Sequence, residues 1–261
     1  MAITVKVKSA DSAAESQREQ IAWDAVGQFG NQIPDLRLFA FFDDEDCDAV
    51  RRYIGAANRG VYTPLKNCPL WPYLPEYVRE SIFESDPSSF SLEPLFDHLI
   101  YLHGSTCSNE IGLTMTFAHE LQHFVQHGDA RTRKLAAKNT LIQNLDKELI
   151  DALQLKWFDI PIEREARIVS KRIAEALFGA PRVRQFIATK ISEAVDEDDA
   201  VDWRFIQGVV TTASYDLAGE SHRIFQELKP HRREFERLLA EAKDDPVFGD
   251  ITLRSLFDDF V

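Results

Sequence analysis

His119-Glu120-Leu121-Gln122-His123, set within Thr116-Phe117-Ala118 before it and Phe124-Val125 after it, organises the reading of the whole chain. Side chains four apart on a helix lie one above the other, so both imidazoles can hold one metal ion with Glu120 beside it. The flanks carry neither charge nor proline, which suits a buried helix; a solvated one would be laced with Lys and Glu.

Two histidines do not complete a catalytic zinc site, which takes three protein ligands and keeps one position for water. His127 is the nearest further histidine, but at 1.5 Å per residue it lies about 12 Å along the axis from His119. Gly128 follows it, so the helix is expected to end there, with Gly as its C-cap and His127 in the last turn. Better candidates stand in Asp159-Ile160-Pro161-Ile162-Glu163-Arg164-Glu165-Ala166-Arg167. Asp159 and Pro161 predict a helix start, and Ile162, Ala166, Val169, Ile173 and Leu177 make one apolar face before Gly179. Glu163 and Glu165 fall on opposite borders of that stripe. Either can turn toward a metal, and the helical wheel does not choose between them.

An uncharged helix bearing His-Glu-x-x-His, followed by a helix that opens with Glu-x-x-Ala, resembles the gluzincin group of zinc metallopeptidases. The resemblance covers roughly residues 95 to 180. It implies Zn2+ held by His119, His123 and Glu163, with Ala166 as the small residue of the second motif. Arg167 departs from the pattern, because the group often has Asp or Asn there, supporting a histidine ligand. That support must come from elsewhere in this chain.

The ligand set predicts a mechanism. Zinc held by two imidazoles and a carboxylate lowers the pKa of water toward about 7 and polarises a carbonyl. Glu120, not itself a ligand, is the expected general base. Tyr215 and His222, in Ser214-Tyr215-Asp216-Leu217-Ala218-Gly219-Glu220-Ser221-His222, are the candidate donors to a tetrahedral oxyanion, seven apart on a possible helix face. Leu99-Ile100-Tyr101-Leu102-His103 is short, apolar and β-prone, and the resemblance implies that such a strand borders the metal-bearing helix and can pair with an extended peptide by strand addition. Cys107, in the connection that follows, is a candidate to approach the metal.

Composition sets the outer bounds. With 261 residues and 44% hydrophobic content, the chain can bury a full core without staples. Its three cysteines, Cys47, Cys68 and Cys107, show no paired metal spacing, so a reduced cytoplasmic setting is expected. No apolar run approaches a membrane span, and the start, Ile3 to Val7, alternates like an edge strand rather than a leader. A net charge of −13 disfavours nucleic-acid binding. The basic residues Arg164, Arg167, Lys171, Arg172, Arg182 and Arg184 read as solvated helix faces. The acidic runs Asp43-Asp44-Glu45-Asp46 and Asp196-Glu197-Asp198-Asp199 read as turns or helix starts.

Along the chain, Leu36 to Phe42 and Leu99 to His103 read as further strands, with Ser12 to Phe29 and Asp46 to Ala57 as helices. Residues 58 to 95, rich in proline and aromatics, read as an irregular covering segment that can wall a cleft. After His123 helices are expected over Leu135 to Trp157, Arg182 to Ala194, Trp203 to Gly219 and Ser221 to Ala242. The expected fold is α+β and zincin-like, with a small sheet beside the active-site helix and a mainly helical C-terminal half. Residues 1–95 form its mixed α/β covering region, and residues 96–261 its catalytic region.

The sequence thus points first to a zinc-dependent peptidase acting on an intracellular protein or peptide. The alternative is a metal-binding regulatory or interaction protein that keeps the scaffold without general peptidase activity. Neither reading calls for a nucleic-acid or membrane partner.

Overall fold

The structure, a computed structural model, describes residues 3–33, 35–43, 48–55, 58–83, 95–128, 132–243, 248 and 251–258. The strands are β1 (Ile3–Ser9), β2 (Leu36–Asp43), β3 (Gly60–Pro64) and β4 (His98–His103). The early helices are α1 (Glu15–Phe29), α2 (Asp48–Ile54), α3 (Glu76–Phe83) and α4 (Gly104–Cys107). The metal motif lies on α5 (Glu110–Gly128), followed by α6 (Arg133–Gln143), α7 (Lys147–Ala152), α8 (Pro161–Phe178) and α9 (Ala180–Ser192). The last four are α10 (Glu197–Gly208), α11 (Leu217–Leu228), α12 (Arg232–Glu241) and α13 (Leu253–Asp258). The chain divides into two compact units, Met1–Leu121 with Val169–Gln207 and Gln122–Ile168 with Gly208–Val261; α5 and α8 each pass from one to the other.

The first unit is built on a sheet of order β1-β2-β4-β3, in which β1, β2 and β4 run parallel and β3 pairs antiparallel with β4. β2 reads Leu-Arg-Leu-Phe-Ala-Phe-Phe-Asp and is buried except at Arg37, as an inner parallel strand covered on both faces must be. β1 is at the edge, where Val5 and Val7 are buried while Lys6 and Lys8 stay partly exposed, matching the alternation of its sequence.

Strand alternation divides the two faces. Phe39, Phe41, Leu99 and Tyr101 pack with Leu65, Leu70, Leu74, Val78 and Ile82. The described part of the 58–95 segment after β3 therefore covers this face, as two short 3-10 turns and α3, and residues 84–94 lie outside the described residues. Phe42, on the opposite face, stacks on Phe117 of α5 with ring centroids 6.4 Å apart. The expected cleft wall is thus mostly a cover on the far side of the sheet. Among the segment's described residues, β3 runs beside α5, and it does so closely: a Cβ on Gly60 would stand 3.0 Å from Leu102, Thr116 and the Tyr101 carbonyl.

α5 begins at Asn109, whose side chain accepts hydrogen bonds from the Ile111 and Gly112 amides at 2.9 and 3.3 Å, satisfying donors that a helix start leaves open. Gly112 approaches the Thr106 carbonyl and Phe186, and Thr116 and Leu102 both border Gly60, so α5 runs back along β4. Ile111 and Met115 share a core with Ala174, Val183, Phe186, Ile187, Trp203 and Ile206 from α8, α9 and α10. Asp196 caps α10 by accepting from the Asp199 amide at 2.8 Å, so the second acidic run is a helix start as read; Asp44, Glu45 and Asp46 of the first lie outside the described residues.

The second unit is helical, around Leu141, Ile142, Ile160, Ile162, Phe225, Phe235, Leu256 and Phe257. Three expected helices are interrupted here. Leu135 to Trp157 breaks after Gln143, restarts at Lys147 and closes at Gln154, whose φ of 53° is left-handed, so α6 and α7 replace one long helix. Trp203 to Gly219 stops at Gly208, before the β-branched run Val209 to Thr212, and α11 starts afresh from Asp216, which accepts from the Gly219 amide at 3.0 Å. Ser221 to Ala242 is divided at Pro230 by a 3-10 turn over Lys229–His231.

Candidate metal centre

His119 and His123 sit one turn apart on α5, and Glu163 enters from the first turn of α8, where the helix dipole favours a carboxylate. One ligand atom from each of the three lies within 4.8 Å of the others. The His123 Nε2 to Glu163 Oε1 separation is 3.4 Å. Two ligands held about 2.0–2.1 Å from one zinc at a tetrahedral angle stand about 3.3–3.4 Å apart, so this pair already has the spacing the ion requires. Two imidazoles and a carboxylate are also the donor types of a catalytic zinc. The residues present fit the metal.

Glu163 is held from two sides. Its Oε1 accepts from Gln143 Nε2 at 2.9 Å, and its Oε2 pairs with Arg167 Nη1 at 3.2 Å. The Glu163 side chain is only 4% exposed and that of Arg167 12%, so Arg167 does not belong to a solvated face. It balances a buried carboxylate that would otherwise be costly. Lys171, also read as solvated, is buried and donates to the Gln207 carbonyl at 3.0 Å; burial lowers its pKa. Arg172 is exposed as expected.

Glu165, the other candidate ligand, serves differently. Its Oε2 accepts from Gln126 Nε2 at 2.8 Å and from Gln122 Nε2 at 3.1 Å. Gln126 Nε2 also donates to the Ile162 carbonyl at 3.0 Å, and its Oε1 lies 2.8 Å from His123 Nδ1. Neither glutamine is among the site residues expected from the sequence. Their signal was present: uncharged polar residues four apart on a helix with buried flanks must find hydrogen-bond partners.

Glu120 is buried on α5 and lies outside the three-ligand group. His127 is outside it too, and it is no charged cap: burial, with His123 and Arg133 nearby, pushes its pKa down to about 4. Arg133 does the capping instead, donating to the carbonyls of His127 and Gly128 at 3.1 and 3.4 Å. Tyr215 and His222 do not share a helix face, because Tyr215 precedes α11. The Tyr215 hydroxyl is buried, with no hydrogen-bond partner among the described residues, and burial raises its pKa beside Arg164, Glu220 and Glu165. His222 is exposed on α11. Cys107 ends α4, and its side chain lies outside the described residues, as does Cys47; Cys68 is buried in the sheet's far layer.

No family model, curated protein or solved structure matches the chain. The site itself defines the class. His119, Glu120, His123 and Glu163 form a gluzincin-type His-Glu-x-x-His plus Glu metal site, with a four-stranded sheet beside its first helix and a mainly helical C-terminal half. Among the described residues, no helix is long and apolar enough to cross a membrane.

Proposed function

We propose that the chain is a zinc-dependent peptidase that hydrolyses peptide bonds of a protein or peptide substrate within a reducing, cytoplasmic compartment. The observation that carries this reading is the His119, His123 and Glu163 group, whose His123 to Glu163 spacing suits one zinc ion. When bound, zinc supplies Lewis acidity, bringing the pKa of water toward about 7 and polarising the scissile carbonyl. Glu120, next to His119 and buried, takes the proton of the attacking water and delivers it to the leaving amine. Tyr215, whose hydroxyl has no other hydrogen-bond partner among the described residues, is the donor assigned to the oxyanion.

Strand order favours a substrate edge other than β4. β4 is paired on both sides, with β2 and with β3, so it has no row of backbone groups left for a peptide. The edge beside α5 is β3, and an extended substrate pairs along Gly60–Pro64.

The test is Glu120→Gln, assayed on a mixed peptide library with zinc content measured in parallel. Loss of turnover with zinc retained supports the peptidase. Unchanged turnover overturns it, and no turnover even in wild type favours the metal-binding regulatory role. Tyr215→Phe and His222→Gln, compared in the same assay, separate the two oxyanion candidates.

A further inference from the structure

We propose that Gln126, anchored by Glu165, is the positioning residue that sets the tautomer of His123 and turns its Nε2 toward the metal, the task that Arg167 leaves undone on α8. The inference rests on the zinc reading of the site and concerns how this chain holds its ligand.

The hydrogen bonds dictate the orientation. Gln126 Nε2 faces the Glu165 carboxylate and the Ile162 carbonyl, at 2.8 and 3.0 Å. Both of those groups accept and neither donates, so the Gln126 amide is fixed with its NH2 toward α8 and its oxygen toward His123. An amide oxygen also only accepts. His123 Nδ1, 2.8 Å away, must therefore carry the ring proton and donate it. In the neutral ring this leaves the lone pair on Nε2, and Nε2 is the atom that faces Glu163 Oε1 at 3.4 Å. Two electron-rich atoms meeting at that distance form a seat for a cation.

Burial makes the arrangement rigid. Gln126 is 1% exposed and Gln122 5%, so neither amide has bulk water as an alternative partner. Gln122 adds a second donor to Glu165 Oε2 at 3.1 Å and fixes the anchor in turn. Arg167 cannot do this work. A guanidinium has no acceptor to offer an imidazole N–H, and here it is turned to Glu163. The histidine support has moved from the glutamate-bearing helix to α5 itself, one turn beyond the ligand.

The test uses the full chain, Zn2+ as the probe, and two variants. Gln126→Met keeps the volume and removes the hydrogen bonds. Gln126→Glu combined with Glu165→Gln rebuilds the chain with its polarity exchanged: a carboxylate accepts from His123 and an amide donates back to it, while the Ile162 carbonyl loses its donor and Gln122 must turn its amide so that its oxygen, not its Nε2, meets the new donor. Zinc affinity is read by competition with a chelator, and the His123 tautomer by imidazole 15N NMR of the metal-free protein. Gln126→Met is expected to bind Zn2+ about 10–100-fold more weakly and to lose the fixed Nδ1–H tautomer. The exchanged pair is expected to recover both. Zinc affinity and tautomer unchanged in Gln126→Met overturn the proposal, as does an exchanged pair no better than Gln126→Met. If wild type binds no zinc, the peptidase reading falls, and the NMR measurement still upholds or overturns the role of Gln126.

Discussion

Replacing Arg167 with methionine removes the charge opposite Glu163 while keeping an unbranched, helix-compatible side chain. Across the 3.2 Å between Arg167 Nη1 and Glu163 Oε2, a unit charge pair at an effective dielectric of 20 attracts by about 5 kcal/mol before desolvation is counted. Both side chains are well shielded from water, so deleting one partner strands a buried carboxylate, a loss of about 3–5 kcal/mol. Gln143 still donates to Glu163, which places the expected loss near the lower bound. For a single cooperative transition of a chain this long, that is roughly 6–12 °C in melting temperature. Zinc reverses the penalty, since its two positive charges replace the one removed. Arg167→Met is therefore expected to melt well below wild type when metal-free and to gain more from saturating Zn2+ than wild type gains. The assay is thermal unfolding followed by circular dichroism, with and without zinc, on both proteins. Equal metal-free melting temperatures, or an equal zinc-induced gain, would refute the view that Arg167 stands in for metal charge at Glu163.

Gly60→Ala should lower stability by about 1–3 kcal/mol, seen as an earlier urea midpoint, because the added Cβ meets Leu102, Thr116 and the Tyr101 carbonyl at 3.0 Å; an unchanged midpoint would show that β3 and α5 do not pack as described. The pH dependence of the metal-free protein should carry the signature of His127, whose pKa is pushed from its ordinary 6.5 down to about 4. As pH falls through that window the unfolded chain binds the proton first, so the contribution is complete above about pH 6.5 and is lost toward about pH 4, on the order of 1 kcal/mol per unit. His127→Gln should flatten that slope, and an identical slope in wild type and variant would rule His127 out as its source.

The metal site was largely legible in the sequence because its information is local. Four-residue spacing fixes His119 over His123 whatever surrounds them, and the uncharged flanks announce a buried helix. The strands were legible for a similar reason: β2 is a continuous apolar run that only a covered inner strand tolerates. The choice between Glu163 and Glu165 was not local. Both border the same apolar stripe, and what separates them is that Gln122 and Gln126 claim Glu165 while His123 and Arg167 face Glu163. Arg167 looked like a solvated base because a lone sequence cannot show that its nearest acid is buried. The long helices after His123 broke where short-range signals outweighed periodicity, at Pro230, at Gly208 and at the left-handed Gln154. The place of β4 inside the sheet depends on β3, a five-residue strand within a proline-rich stretch that hides its pairing.

The most direct measurement is zinc stoichiometry by elemental mass analysis on wild type, Glu163→Ala and Glu165→Ala, each loaded with one equivalent of Zn2+ and separated from unbound metal. About one zinc per chain in wild type, retained in Glu165→Ala with weakened affinity and lost in Glu163→Ala, is the expected result. A wild type that holds no zinc, or a Glu163→Ala variant that keeps it, would contradict the metal site on which the proposed function stands.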